Sequence, residues 1–440
     1  MSFITDKQTL EDLNLFGRYK GNSVYKLFDR TLTNGGRQLL EQIFREPLTD
    51  AIAIRKRANG FRYFSDHPMV LPFTREDFTE MEQYLFAGSG SFLDTAWSII
   101  SLKVRSALTG TEEYKTLESG CIKTTRVLRA IRHFISQQVN ATDHPYAKQL
   151  NAIQQTFTDK RMKWLDLQRA GEKPSLLQLI RFDHCLRSQM KNEMKALLQF
   201  IFQLDVDISV GTVAVERGYT YASVLSAEKN VLCIEGLYHP LLEKPVANPA
   251  LFNGDNNVVF LTGANMAGKS TYMKAMGIAV YLAHAGLPVP AAEMEFSVKD
   301  GIFSSINVPD DLEHGYSHFY AEVRRVKKVA ETVSIPKNMV VLFDELFKGT
   351  NVKDAYEATL SITAAFSAHR NCFFLISTHI IEVGEALKEC CGHIRYHYLP
   401  TIIRDSRPAY TYQLKDGITA DRQGMMIIEN EKIVELIRQN

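Results

Sequence analysis

The run Leu261-Thr262-Gly263-Ala264-Asn265-Met266-Ala267-Gly268-Lys269-Ser270-Thr271 sets a glycine, four residues, and then Gly-Lys-Ser. Residues of these types at this spacing grip the phosphates of a nucleoside triphosphate. Gly263 and Gly268 let the backbone come close, so that N–H groups of a tight turn aim at negative charge. Lys269 suits the β- and γ-phosphates, and the Ser270 hydroxyl suits Mg²⁺. The phosphate-binding set is therefore Gly263, Asn265, Met266, Ala267, Gly268, Lys269, Ser270 and Thr271, with ATP and Mg²⁺ as the ligands expected. Such a loop needs a strand before it and a helix after it. Val258–Leu261 is a bare apolar run, and Met273–His284 is an apolar helix candidate whose N-terminal dipole favours an anion.

A second apolar run, Met339–Phe343, ends in Asp344-Glu345. Asp344 is placed to hold Mg²⁺, directly or through water, and Glu345 to orient or deprotonate an attacking water. His379, in Ser377-Thr378-His379, would sense the γ-phosphate, and the whole pattern is that of ATP-binding-cassette-type ATPases. For His379 alone, a turn histidine with local hydrogen bonds is an equally good reading.

The elements that must hold these residues follow from periodicity. Val258–Leu261, Met339–Phe343 and Cys372–Ile376 are apolar without alternation, which predicts parallel strands buried on both faces. Upstream the chain is helical. Ser23–Asp29 and Arg37–Arg45 each carry an apolar face, Asp50 caps a third helix to about Phe64, and Leu71 to about Leu204 is long, helical and broken near Gly88–Gly90, Thr109–Thr111, Asn140–Pro145 and Gly171–Pro174. Between Leu204 and Tyr238 short runs take over, Val206–Val215 alternating loosely. The boundary is placed after residue 235, giving an all-α region (1–235) and an α/β P-loop domain (236–440).

Two basic stripes lie in the helical region: Lys123, Arg126, Arg129 and Arg132 at period three, and Arg187, Lys191 and Lys195 at i, i+4, i+8. Each reads either as the solvated side of a helix or as a row of DNA phosphate contacts. Composition does not decide. With 440 residues, 45% apolar, 23% charged and a net charge of +1, the chain is of ordinary globular type with room for two or three domains. Six cysteines lack a metal-ligand spacing, which fits a reduced, cytoplasmic setting. The start Met-Ser-Phe-Ile-Thr-Asp-Lys is no signal peptide, and no membrane-spanning run is expected.

With these residues in view the sequence resembles the MutS family of DNA mismatch-repair ATPases. Thr262–Thr271 is similar to the family's Thr-Gly-Pro-Asn-Met-Gly-Gly-Lys-Ser-Thr, with Ala264 for Pro and Ala267 for a Gly; Asn265-Met266 is the distinctive part. Tyr238-His239-Pro240-Leu241 and Ala247-Asn248-Pro249 resemble its lead-in. Asp310-Asp311-Leu312 through Gly315, Ser317 and Phe319 resembles its next signature, and Gly349-Thr350-Asn351 and Ser377-Thr378-His379 its Gly-Thr-Ser and Ala-Thr-His. Asn22–Thr31, Gly36–Leu40, Pro47–Asp50 and Leu204-Asp205-Val206 are similar to parts of its helical core and lever.

The resemblance implies an obligate homodimer in which Ser317 reaches the γ-phosphate held by the partner subunit, so that Glu345, His379 and Ser317 form the catalytic set. It also implies a helical core/lever region ahead of an ABC-type ATPase domain, in a MutS-like chain without the mismatch-recognition and connector domains. Those modules would then come from elsewhere, if at all. An aromatic that stacks on adenine in the family falls at Pro245 here, which leaves Asn248 and Tyr412 as the adenine-side candidates. The function implied is ATP-driven movement of helical levers on DNA, in mismatch repair or recombination, with other repair proteins as partners. The alternative is an ATPase switch acting on a protein partner without touching DNA.

Overall fold

The computed structural model describes residues 2–17, 22–87, 90–139, 143–167, 173–306, 318–404, 407–419 and 437. Helices come first: α1 (Lys7–Asp12), α2 (Val24–Phe28), α3 (Asn34–Arg45), α4 (Ala51–Asp66), α5 (Arg75–Phe86), α6 (Phe92–Thr109), α7 (Glu113–Gln138), α8 (Ala147–Thr158), α9 (Trp164–Leu167), α10 (Leu176–His184) and α11 (Lys191–Arg217). Strands and helices then mix: β1 (Ser223–Leu225), β2 (Leu232–Leu237), β3 (Asn248–Phe252), β4 (Val258–Gly263), α12 (Lys269–His284), β5 (Glu293–Ser297), β6 (Gly301–Ser305) and α13 (His318–Val333). The rest is β7 (Met339–Asp344), α14 (Val352–Ser367), β8 (Phe373–Ser377), α15 (Ile381–Cys390), β9 (Ile394–Leu399), β10 (Thr401–Arg404), β11 (Arg407–Tyr410) and β12 (Lys415–Asp416).

Two compact units result. One holds residues 29–42 and 60–212, the other residues 1–28, 43–59 and 213–440. The division therefore falls inside α3, α4 and α11, not at a linear boundary after residue 235. Local rules account for the helix ends. Asp50 accepts from the Ala53 N–H at 2.7 Å, as its capping role required, and Gly110 closes α6 in the left-handed region at φ 72°. The loose alternation over Val206–Val215 is not strand: α11 runs through it, with Val206, Val210, Val213 and Ala214 buried at helical spacing. Within the helical unit, the Asp205 carboxylate accepts from the Leu32 and Thr33 backbone N–H groups at 2.9 and 2.7 Å, so the turn opening α3 is tied to α11. α11 also carries an apolar window long enough to cross a membrane, which the sequence reading did not expect; 67% of that window is buried in the protein, as in a core helix.

In the other unit a six-stranded sheet has the order β12-β9-β4-β8-β7-β6. The five strands from β9 to β6 are parallel, and β12 joins β9 antiparallel. The three bare apolar runs lie where expected, as β4, β7 and β8, and all six residues of β4 are buried. A four-stranded sheet, β1-β5-β2-β3, stands beside this one in the chain's order.

The sheet's β6 edge is closed by the chain's own start. Ile4 bridges Gly301, its N–H donating to Asp300 O at 2.8 Å and its carbonyl accepting from Ile302 N at 2.9 Å. Asp12 accepts from the Ser304 hydroxyl at 2.7 Å and from Ile306 N at 3.0 Å, while Asp6 pairs with Arg325 and Lys328 of α13. An edge covered in this way cannot recruit a foreign strand. A Cβ at Gly301 would stand 2.1 Å from Ile4 O, so glycine is required for the approach. Gly301→Ala should destabilise this unit by about 1–3 kcal/mol, as overpacking does. A lowered thermal midpoint with faster proteolysis before residue 17 is the expected reading; an unchanged midpoint would mean that the edge tolerates separation.

Candidate functional site

The Gly-rich run leaves the buried strand β4 and enters α12, as a phosphate loop must. Gly263 and Gly268 have φ 150° and 102°, and at each a Cβ would crowd a neighbour, Leu399 O at 3.1 Å and the Tyr412 ring at 3.2 Å. Met266, at the exposed tip, is held at φ 69°, a conformation that costs a bulky side chain energy. No side chain caps the N-terminus of α12, which leaves its first N–H groups for another acceptor. Lys269 is buried. Its ammonium donates to Gly263 O at 2.9 Å and Ala264 O at 3.2 Å, and burial pushes it below the usual lysine value although Asp344 and Glu345 pull the other way.

The carboxylates come from the end of β7, next to β4's neighbour β8. Ser270 Oγ donates to one oxygen of Asp344 and Ser377 Oγ to the other. Ser377 is set opposite Asp344 by the β7–β8 register, a pairing that periodicity alone does not reveal. Glu345 follows at φ 55°, its N–H donating to Ser377 O at 3.0 Å. His379 Nε2 lies 2.5 Å from Glu345 Oε1, and this hydrogen bond holds the carboxyl below the ordinary glutamate value against burial that would raise it. Lys269, Ser270, Asp344, Glu345 and His379 are thus brought together. Ser317 and the residues 310–316 around it lie outside the described residues.

Oxygen ligands fit Mg²⁺ here. A hydroxyl and a carboxylate already in contact are the one or two protein groups that this ion takes when phosphate oxygens and water complete its octahedron. Among the described residues no cluster of three His, Cys, Asp or Glu could hold a metal without such help.

A cavity of about 530 Å³ opens beside the loop, lined among others by His239, Pro245, Asn248, Lys269, Glu345 and Tyr412. It has the size of a small-molecule site. Tyr412 presents a half-exposed ring from a backbone at φ 57°. Asn248 lines the cavity, and its amide donates to Tyr412 O at 2.9 Å and accepts from Leu414 N at 2.6 Å, which fixes the segment that carries the ring. His239 was not among the expected site residues. Burial first, with Lys274 adding to it, lowers its pKa to about 4, so a neutral imidazole faces the cavity.

Five of the seven stripe residues have partners within the helical unit. Within the helical unit, Lys123 pairs with Glu80 and Arg126 with Asp77, both on α5. Arg129 donates to Leu165 O at 2.7 Å, and Arg132 pairs with Asp166 at 2.6 Å, both on α9. Arg187 is partly buried, its side chain paired with Asp183 at 2.7 Å and set over the Tyr84 ring. The physical reason is a π-helical turn at Cys185–Gln189, which adds a residue and breaks the i, i+4, i+8 register. Lys191 and Lys195 project exposed from α11.

Comparison with known proteins bears on the same region. The MutS domain V family matches residues 259–439. The DNA mismatch repair protein MutS of Geobacillus thermodenitrificans is 29% identical over 253 residues, which is 56% of this chain and 27% of that protein. That of Geobacillus kaustophilus is 29% identical over 253 residues, 56% of this chain and 28% of its own length, and that of Bacillus cytotoxicus 27% over 265 residues, 57% and 29%. The matches thus span little more than a quarter of these curated relatives.

The Glu345–His379 bond is directly testable. His379→Ala should raise the Glu345 carboxyl, because the stabilising hydrogen bond is gone while burial stays. Carbon-detected NMR titration of labelled glutamate is expected to show the upward move. A carboxyl that stays put would mean that the imidazole does not tune it.

Proposed function

Given that residues 259–439 are a MutS domain V, we propose that the chain is a dimeric MutS-type ATPase that binds ATP with Mg²⁺ and uses its hydrolysis to move its helical region on DNA, in mismatch repair or a related recombination role. The observation that carries this reading is the convergence of a buried lysine, an uncapped helix N-terminus and Glu345 on one cavity, with Asp344 hydrogen-bonded to Ser270, which also lines it. Other repair proteins are natural partners of such a role.

In this reading the loop amides and Lys269 hold the β- and γ-phosphates, and Tyr412, oriented through Asn248, takes the adenine. Bound Mg²⁺ would draw charge from the phosphates, with Ser270 and Asp344 as its protein ligands. Glu345, kept ionised by His379, accepts the proton of the water whose oxygen attacks the γ-phosphorus while the β,γ-bridging oxygen leaves with ADP. Ser317 supplies a hydroxyl to the partner subunit's γ-phosphate. ATP then favours the closed dimer only to the extent that it binds that state more tightly than the open one.

A second reading, an ATPase switch on a protein partner without DNA contact, is favoured by the stripes: Lys123, Arg126 and Arg132 already have carboxylate partners.

Lys269→Ala should lose nucleotide binding. Glu345→Gln should keep it yet hydrolyse ATP at least ~100-fold more slowly, as expected for lost general-base help; normal turnover by that variant would remove Glu345 from the chemistry. Duplex, mismatched and branched DNA titrated at several salt concentrations separates the two readings. DNA binding that uses lysines should weaken steeply as salt rises, and binding to none of the three substrates with or without ATP would leave the protein-partner switch.

A further inference from the structure

Helix α6 is apolar on two opposite faces. Thr95 and Ile99, with Leu102 and Ser106 half-buried, form the face that turns into the helical unit, where α6 packs on α7 and α10. On the other side Leu93, Trp97, Ile100, Val104 and Leu108 are 78%, 75%, 40%, 52% and 80% exposed. Their spacing of four, three, four and four residues makes one continuous seam along the helix, the pattern of a helix that packs against another helix. Asp94, Ser98, Ser101 and Arg105 flank the seam on one side and Lys103 on the other. A large exposed apolar patch of this kind marks a contact surface.

We infer that the seam of α6 docks onto the same seam of a second copy of this chain, the two helices running antiparallel. Reversed, the spacing nearly matches itself, four of the five seam positions pairing with one another. About an axis between Ile100 and Ser101, Leu93 meets Leu108 and Trp97 meets Val104 of the other copy, and Ile100 lies beside its counterpart. Trp97 opposes the smaller Val104, no like charges face each other, and the helix dipoles oppose. A parallel pair would set Trp97 on Trp97 and align the dipoles. A lipid surface fits less well, because an interfacial helix carries a basic polar face. Here Arg105 lies 3.6 Å from Glu113 and Lys103 stacks over the Tyr114 ring, which leaves no row of cations for headgroups.

The covered area is on the order of 500 Å² per copy, since a tryptophan alone buries about 150–250 Å². That is below the roughly 800 Å² per partner of a stable interface. The contact is therefore a weak self-association that is populated as protein concentration rises. It stands apart from the nucleotide reading, and its test uses no nucleotide.

The experiment is cysteine cross-linking of the full chain in a Cys390→Ser, Cys391→Ser background, which removes the exposed Cys390 thiol and its neighbour. Under mild oxidation Ile100→Cys should give a disulfide-linked dimer. Leu93→Cys alone should not, because the two positions would stand about 22 Å apart along antiparallel helices, but mixed with Leu108→Cys it should. Trp97→Glu, at an exposed site that the fold does not need, should weaken self-association in sedimentation at least ~tenfold, the effect of removing a central tryptophan. In a Trp164→Phe chain, Trp97 emission should shift to the blue as protein concentration rises. Linking by Leu93→Cys alone would replace the antiparallel arrangement with a parallel one. Absence of linking in every variant, or a blue shift with anionic vesicles and none with protein concentration, would overturn the inference.

Discussion

A positive charge taken out of water at the mouth of a buried helix is the constraint on which the site depends. Burying an ammonium is costly unless it is paired and hydrogen-bonded. Lys269 meets that cost with two loop carbonyls and the field of Asp344 and Glu345. Only a loop that turns back on itself can offer those carbonyls, hence the left-handed backbone at Gly263 and Gly268 and the constrained Met266. The carboxylates that balance the lysine are themselves pinned, Asp344 between Ser270 and Ser377, Glu345 by His379. Loosening one of these groups changes the charge felt by the others. That is why strained backbone gathers here: Met266, Glu345 and Tyr412 all have positive φ and all line one cavity.

Such a site needs a scaffold that does not yield. α12 is buried along almost all its length, and its far end is fixed by His284, whose Nε2 accepts from Lys299 N at 3.0 Å. Burial lowers the His284 pKa to about 4, so the imidazole is neutral and can accept. On the sheet's other side, the chain's first residues occupy the β6 edge, and the nearly buried Asp6–Arg325 pair locks them to α13. A buried pair of that kind adds less to stability than to position, because desolvation offsets most of its attraction. The element that precedes β7 in sequence, α13, is thereby held at one end of the sheet that carries Asp344.

The strand–loop–helix core was legible because its signals are local. Unbroken apolar runs mean strands covered on both faces, and a glycine with Gly-Lys-Ser means a phosphate loop. Less was legible where a residue's meaning depends on distant partners. Lys123, Arg126 and Arg132 read in the sequence as a bare basic row, and their carboxylate partners Glu80, Asp77 and Asp166 become visible only through the packing of α7 against its neighbours. Val206–Val215 reads as loose alternation because β-branched residues suit strands, yet the surrounding helix decides. Asn248 showed in the sequence as part of a lead-in to the loop and as an adenine-side candidate, not as the residue that fixes the segment carrying Tyr412. Its grip on the backbone at Tyr412 and Leu414 spans more than a hundred and sixty residues. Ser377 belongs in the same group, since strand register alone sets it against Asp344.

α6 and α12 make the same point from the other direction. Both carry apolar residues on more than one face, and a helix of that kind needs cover on each of them. α12 is enclosed, by the sheet on one side and by residues such as Leu13 on another, where the Leu13 side chain comes within 2.7 Å of the Cβ position at Gly277. α6 is enclosed on one side only. The rows of ion pairs along α7 make the contrast sharper: where the helical unit meets water it spends charge on internal partners and stays polar, but along α6 it leaves a tryptophan and two leucines about three-quarters exposed or more. A stripe so long, so regular and so little diluted by charge is costly to leave wet. Its persistence next to a well-satisfied polar surface argues that water is not its only neighbour.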